Sequence, residues 1–123
     1  MNKLIKSNLI IGILLILTSC ATSMLPMKVN DTLPTLTEAK FISQSLAEEA
    51  VKENTCKYLV RGREYVAPMG LTVKGDLRNG AKGIDGWVNI DGGNTYVLVS
   101  YKWVTVDDEG TQLYIEFDTM LCE

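Results

Sequence analysis

The sequence predicts an α+β domain, with one amphipathic helix packed on an antiparallel β-meander of four to five strands. Three observations predict it. Ala39, Ile42, Leu46 and Ala50 recur at helical spacing within residues 36–53. From Gln112 to Leu121, Leu113, Ile115 and Phe117 alternate with Tyr114, Glu116 and Asp118, one buried face against one wet face. Thr95 to Val106 is apolar on both sides, with Val97, Val99, Tyr101 and Trp103 on one and Leu98, Val104 and Val106 on the other. A strand of that kind belongs in the middle of a sheet.

The chain begins with a different kind of segment. Met1 to Asn8 is polar and basic, through Lys3 and Lys6, and residues 9–17 are uninterrupted apolar chain. That run has the length of a signal-peptide core, whereas a spanning helix needs roughly 20 apolar residues. Leu17-Thr18-Ser19-Cys20 closes it. These four residues resemble the lipobox of bacterial lipoproteins: an aliphatic residue, two small residues and cysteine. The resemblance covers residues 1–20. It implies cleavage between Ser19 and Cys20, a diacylglycerol group on the Cys20 sulfur and acylation of the new amino group. Each buried methylene contributes about 0.8 kcal/mol, so two or three acyl chains make a durable membrane anchor. By likeness to the lipoproteins of enteric bacteria, Ala21 in place of Asp leans towards the outer membrane.

Three regions follow from this: a removable signal peptide at 1–19, a lipidated cysteine and tether at 20–34, and a small domain at 35–123. Residues 21–34 carry Pro26 and Pro34 among scattered Ser, Thr, Asn and Asp, and show neither helical nor strand period. Their full extension is at most about 45–50 Å. Met24, Leu25, Met27 and Val29 are more apolar than a tether requires, which suits contact with headgroups, with the domain or with a partner protein.

The helix is expected to start at Thr35-Leu36-Thr37-Glu38, which fits a capping box, and to stop near Asn54. Tyr58-Leu59-Val60, Tyr65-Val66 and Leu71-Thr72-Val73 are short β-prone runs broken by Gly62 and by Pro68-Met69-Gly70. Residues 75–86 hold Gly75, Gly80, Gly83 and Gly86 and read as loose chain, with Asn79-Gly80 suited to a hairpin turn. Trp87 to Asp91 reads as a strand, Asp91-Gly92-Gly93-Asn94 as a turn, and Asp107-Asp108-Glu109-Gly110 as a second turn. The order of one helix and then strands is similar to that of cystatin-like folds.

Of the three cysteines, lipid on Cys20 leaves Cys56 and Cys122. In an exported chain an even remainder reads as a disulfide, with two free thiols as the alternative. The chain has no histidine, which excludes Ser-His-Asp and Cys-His catalysis and most zinc sites. Removing residues 1–20 leaves ten of the twelve basic side chains against all fifteen acidic ones, a formal charge of −5. That balance argues against nucleic acid as a partner. The acidic run 107–109 lacks the spacing of a calcium loop. No carboxylate pair stands beside a nucleophile, a metal set or a glycine loop, so no enzyme and no cofactor is expected.

The charges are unevenly spread. From Lys57 to Lys82 six bases face Glu64 and Asp76, and from Gly83 onward Lys102 alone opposes eight acids. Two readings stand: cross-strand ion pairing, or a bipolar surface with a basic rim at Arg61, Arg63 and Arg78 that meets an anionic partner or lipid headgroups. Trp103 either packs under the helix or belongs to an aromatic binding face. The expected function is that of a non-enzymatic envelope lipoprotein: a protein-binding accessory, inhibitor or immunity module held by lipid on Cys20. The alternative is a carrier of a small apolar ligand, with its pocket between helix and sheet.

Overall fold

The computed structural model describes residues 25–106 and 110–123. The lipobox, the signal-peptide segment, residues 21–24 of the expected tether and the acidic run 107–109 lie outside the described residues. The element order is α1 (Leu25–Leu36), β1 (Lys40–Phe41), α2 (Gln44–Lys52), β2 (Cys56–Val66), α3 (Val73–Asp91), β3 (Thr95–Val106) and β4 (Gly110–Cys122). The described residues therefore form a mixed α and β structure with three helices and one four-stranded mixed sheet, ordered β1-β3-β4-β2.

Three segments differ from expectation, each for a local reason. The first is residues 25–34, expected as tether, which form most of α1. Pro26 stands in the first turn, where a missing N–H costs nothing, and Pro34 in the last, two residues before the helix stops. Val29 and Leu33, one turn apart, are fully buried.

The second is the helix expected over 36–53, which is cut to Gln44–Lys52. Ser43 is its N-cap, its hydroxyl accepting from the Leu46 N–H at 3.3 Å. The capping box at Thr35–Glu38 does not form. The Thr35 hydroxyl instead donates to the Thr32 carbonyl, and the Thr37 hydroxyl meets the Pro34 and Ala39 carbonyls and the Tyr96 hydroxyl. The Glu38 and Ala39 N–H groups donate to the Asp85 carboxylate at 2.9 and 3.0 Å. The chain thus leaves α1 extended and pairs Lys40 and Phe41 with Thr95 and Tyr96 in parallel.

The third is the stretch read as loose chain and strand, residues 75–91, which lies within the nineteen-residue helix α3. Its capping is complete. The Thr72 hydroxyl accepts from the Gly75 N–H at 3.0 Å, and Gly92, at φ 80°, ends the helix with N–H bonds from Gly92 to Asn89 and from Gly93 to Val88. Leu77, Ala81, Ile84 and Val88 fall on one face and are buried. Gly80 admits the sheet closely: a Cβ there would come within 2.9 Å of Ile115 Cδ1.

The sheet is consequently not a meander. β3 spans the predicted Thr95 to Val106 and pairs antiparallel with β4 as a hairpin. β2, one strand rather than two short runs, pairs with the far side of β4, so β4 lies between β2 and β3. The crossover from β2 to β3 runs through α3. One helix followed only by strands, the order on which the likeness to cystatins rested, is not the order observed.

The main core lies between α1, α3 and one face of the sheet, and includes Leu33, Leu77, Ile84, Tyr96, Leu113, Ile115 and Phe117. A smaller cluster lies on the opposite face, where Ala47 of α2 packs on Val97 and Met120. Cys56 and Cys122, directly paired across β2 and β4, are joined by a disulfide at the edge of that cluster.

Candidate functional site

α2 is nine residues long and covers only one end of its face of the sheet. Beyond it no helix among the described residues covers the same face. Its register follows from the pairing: Glu64 opposes Glu116, Val66 opposes Tyr114, Ser100 opposes Glu116, Lys102 opposes Tyr114 and Val104 opposes Gln112. Alternation places all of these side chains away from Tyr65, Tyr101, Leu113 and Ile115, which point at α3. The face forms a hollow of about 660 Å³, lined by residues that include Glu64, Val66, Ser100, Lys102, Tyr114 and Glu116.

Its chemistry is mixed. The Lys102 ammonium stands 5.3 Å from the centre of the Tyr114 ring. Val66 is exposed. Glu64 and Glu116 are directly opposed carboxylates, an arrangement that costs stability on a sheet surface. At the margin towards α2, the Arg61 guanidinium lies 4.1 Å over the Tyr58 ring and its Nε is 3.5 Å from Asp118 Oδ2. The other Asp118 oxygen accepts from the Gly62 N–H at 2.8 Å, where Gly62, at φ 73°, lies in the irregular stretch of β2 between Val60 and Arg63. A second hollow, about 310 Å³, lies beside α2 and includes Ile42, Leu46, Glu49, Glu53, Thr55 and Glu123. Neither of these two hollows lies between α3 and the sheet.

The four residues singled out as possible partner contacts are not gathered at one place. Arg61 is exposed on the α2 side of the sheet. Arg63, past the irregularity at Gly62, points to the α3 side. There its guanidinium lies 3.9 Å over the Trp87 ring and forms a two-point ion pair with Asp91, Nε to Oδ2 at 3.0 Å. The Thr119 hydroxyl donates to the same Asp91 oxygen at 2.7 Å. The hydrogen bond from Arg63 is the main reason the Asp91 carboxyl is held below its ordinary range; desolvation acts against it, and Thr119 and the Arg63 charge act with it. Arg63 is thus committed to an internal latch. Arg78 is exposed on α3. Trp103 is half-buried against the main core, on the face opposite the hollow.

Sequence reasoning missed Tyr114, Glu64 and Val66 as a group. The signal was present in the alternation of β4, but the partner of β4 on its far side was not identified. Among the described residues no set of three His, Cys, Asp or Glu side chains is placed to hold a metal ion, and no helix is long and apolar enough to cross a membrane. Comparison with family models, with curated proteins and with solved structures finds no match for this chain.

Proposed function

We propose that the chain is a lipoprotein of the bacterial cell envelope, held by lipid on Cys20, whose domain is a non-enzymatic protein-binding module. The observation that carries the binding part is the uncovered face of the sheet between β2, β3 and β4, with its hollow of about 660 Å³. It offers a central Tyr114, flanking Val66 and Val104, and the opposed pair Glu64 and Glu116. Tyrosine with apolar neighbours and a charged margin is the usual make-up of an interface centre. The two carboxylates suit a partner segment that brings a basic side chain, which would relieve their mutual repulsion. An accessory subunit, an inhibitor and an immunity protein all work through such a surface. The lipobox Leu17-Thr18-Ser19-Cys20 supports the anchor, and Ala21 leans towards the outer membrane.

Photo-cross-linking in intact cells tests the surface. A benzophenone amino acid at Tyr114 or Lys102 is expected to capture one discrete envelope protein, and the same group at Lys52 is expected not to. If neither face position yields a discrete product while the purified protein retains a small apolar molecule, the carrier reading replaces this one. The anchor has its own test: Cys20→Ser is expected to accumulate as an uncleaved, unlipidated precursor, and normal processing of that variant sinks it.

A further inference from the structure

We infer that the outward face of α3, together with the loop before it, rests on an anionic phospholipid surface. The argument begins with the distribution of charge on α3. The helix carries three acids and three bases. Every acid is turned on the protein's own donors: Asp76 is buried and accepts from the Gly70 N–H, Asp85 accepts from the Glu38 and Ala39 N–H groups, and Asp91 holds Arg63 and Thr119. Every base is turned outward. Lys74, Arg78 and Lys82 are exposed at successive i, i+4 steps and make no ion pair among the described residues. The solvent face of α3 is therefore a basic stripe.

Two further features point the same way. Lys74 is the second residue of α3, where its charge opposes the helix dipole and weakens the helix end, so helix stability is no reason for a base there. Immediately before it the loop projects apolar side chains, with Leu71 fully exposed and Met69 partly so. The Asp76 carboxylate and the Thr72 cap hold this loop to the first turn of the helix. A basic stripe led by a projecting leucine is the pattern of a surface that docks on anionic headgroups and inserts its tip.

The direction of α1 places this surface on the side from which the anchor comes. A Cβ on Gly80 would lie 3.7 Å from Leu33 Cδ1, and five residues on, the Glu38 N–H donates to the Asp85 carboxylate. The chain therefore advances along α3 in the same direction as α3 itself. α1 thus begins towards the end of α3 that carries Lys74 and the Leu71 loop. Cys20 stands five residues before Leu25, a reach of at most about 18 Å. An acylated Cys20 and an inserted Leu71 then enter one bilayer. This placement rests on the reading of Cys20 as the lipidated residue, while the basic surface stands on its own geometry.

The test is amine labelling of the full chain, purified from bacterial membranes and mixed at lipid excess with vesicles. The vesicles are phosphatidylcholine alone or phosphatidylcholine with phosphatidylglycerol. Lys52 and Lys102, on the side of the sheet away from α3, serve as internal references. With phosphatidylglycerol, labelling of Lys74 and Lys82 relative to the references is expected to fall about fivefold, and to recover at high salt. Arg78→Glu, a change at an exposed site, is expected to restore most of the labelling at its two neighbours. Equal labelling in both kinds of vesicle overturns the inference. So does protection that appears only in native envelope fragments, which would assign the stripe to a protein partner. The mass of the intact chain reads Cys20 separately. A bare Cys20 with protected lysines defeats the anchor and keeps this surface, and an acylated Cys20 with unprotected lysines does the reverse.

Discussion

The Tyr65 ring occupies the space that a Cβ at Gly83 would fill, so that β2 and α3 approach each other through a glycine. Gly86, one turn further on, has nothing within 4 Å of its would-be Cβ and is exposed. The same substitution at the two sites should therefore have opposite signs. Gly86→Ala gains about 0.5–1 kcal/mol from the lower backbone entropy of the unfolded chain and better helix propensity. Gly83→Ala gains the same but must displace the ring, and a net loss of about 1–2 kcal/mol is expected. Urea unfolding measures both. In a Tyr65→Ala background the loss at Gly83 should disappear, since the two sites are coupled only through that contact.

Asp91 closes the C-terminal turn of α3, where a negative charge opposes the helix dipole, and Arg63 offsets it from β2. The sign of the pH dependence follows from the lowered carboxyl pKa. In the unfolded chain Asp91 titrates near about 4. The stability it contributes is thus fully present above that pH and is lost as pH falls through the lower folded value. Asp91→Asn should unfold at lower urea than the parent at neutral pH. The gap should narrow steadily in acid below the ordinary Asp range, because the parent loses the ion pair too. A gap that stays constant down to the lowest accessible pH would show that the pair contributes through shape alone.

The Cys56–Cys122 bond joins residues 66 apart and encloses β2, α3, β3 and β4 almost entirely. In the chain-entropy account a loop of that length contributes about 4 kcal/mol, a large fraction of the stability of a small domain. Cys56→Ser with Cys122→Ser should lower the urea midpoint accordingly, and the parent should fall to the same midpoint when unfolded in reductant. Cys20 takes no part in this bond, so Cys20→Ser should leave the midpoint of the folded domain unchanged.

The parts of the fold that were legible in the sequence are those where one rule acts alone. β4 alternates regularly from Leu113 to Asp118, and the disulfide followed from setting Cys20 aside and pairing the two cysteines left. β3 was legible as a strand but not in its faces. Alternation alone puts Val97, Val99, Tyr101 and Trp103 on one side, whereas the irregularity between Leu98 and Ser100 puts Val97 towards α2 and Tyr101 and Trp103 towards α3. The middle of the chain misled because its glycines carry two meanings. Gly75, Gly80, Gly83 and Gly86 read as turn signals, and Asn79-Gly80 as a hairpin. In the structure Gly80 and Gly83 are close-approach sites on a helix that lies tight on the sheet. The helical period of Leu77, Ala81, Ile84 and Val88 was present, and the Thr72 cap and Gly92 stop marked its ends. Once α3 is read as loop and strand, β2 and β3 become neighbours and β4 loses its second partner. The uncovered face at Tyr114, Glu64 and Val66 then cannot be seen. The basic rim failed for a related reason. Arg61 and Arg63 are two apart, which alternation alone would put on one face, but the irregularity at Gly62 sends them to opposite sides.

Trp103 provides the last prediction. Its indole packs against the main core beside α3, yet the Nε1–H is buried with no hydrogen-bond partner among the described residues. A buried donor left unsatisfied costs about 1–3 kcal/mol, which offsets part of what the ring contributes by burial. Trp103→Phe removes the donor while keeping much of the apolar ring. It should leave stability within about 1 kcal/mol of the parent, whereas Trp103→Ala, which removes the whole ring, should cost about 3 kcal/mol. Urea unfolding followed by far-ultraviolet circular dichroism reads both variants without relying on tryptophan emission. If Phe costs as much as Ala, the indole N–H is bonded in the folded protein, and Trp103 belongs to a polar contact rather than to the core.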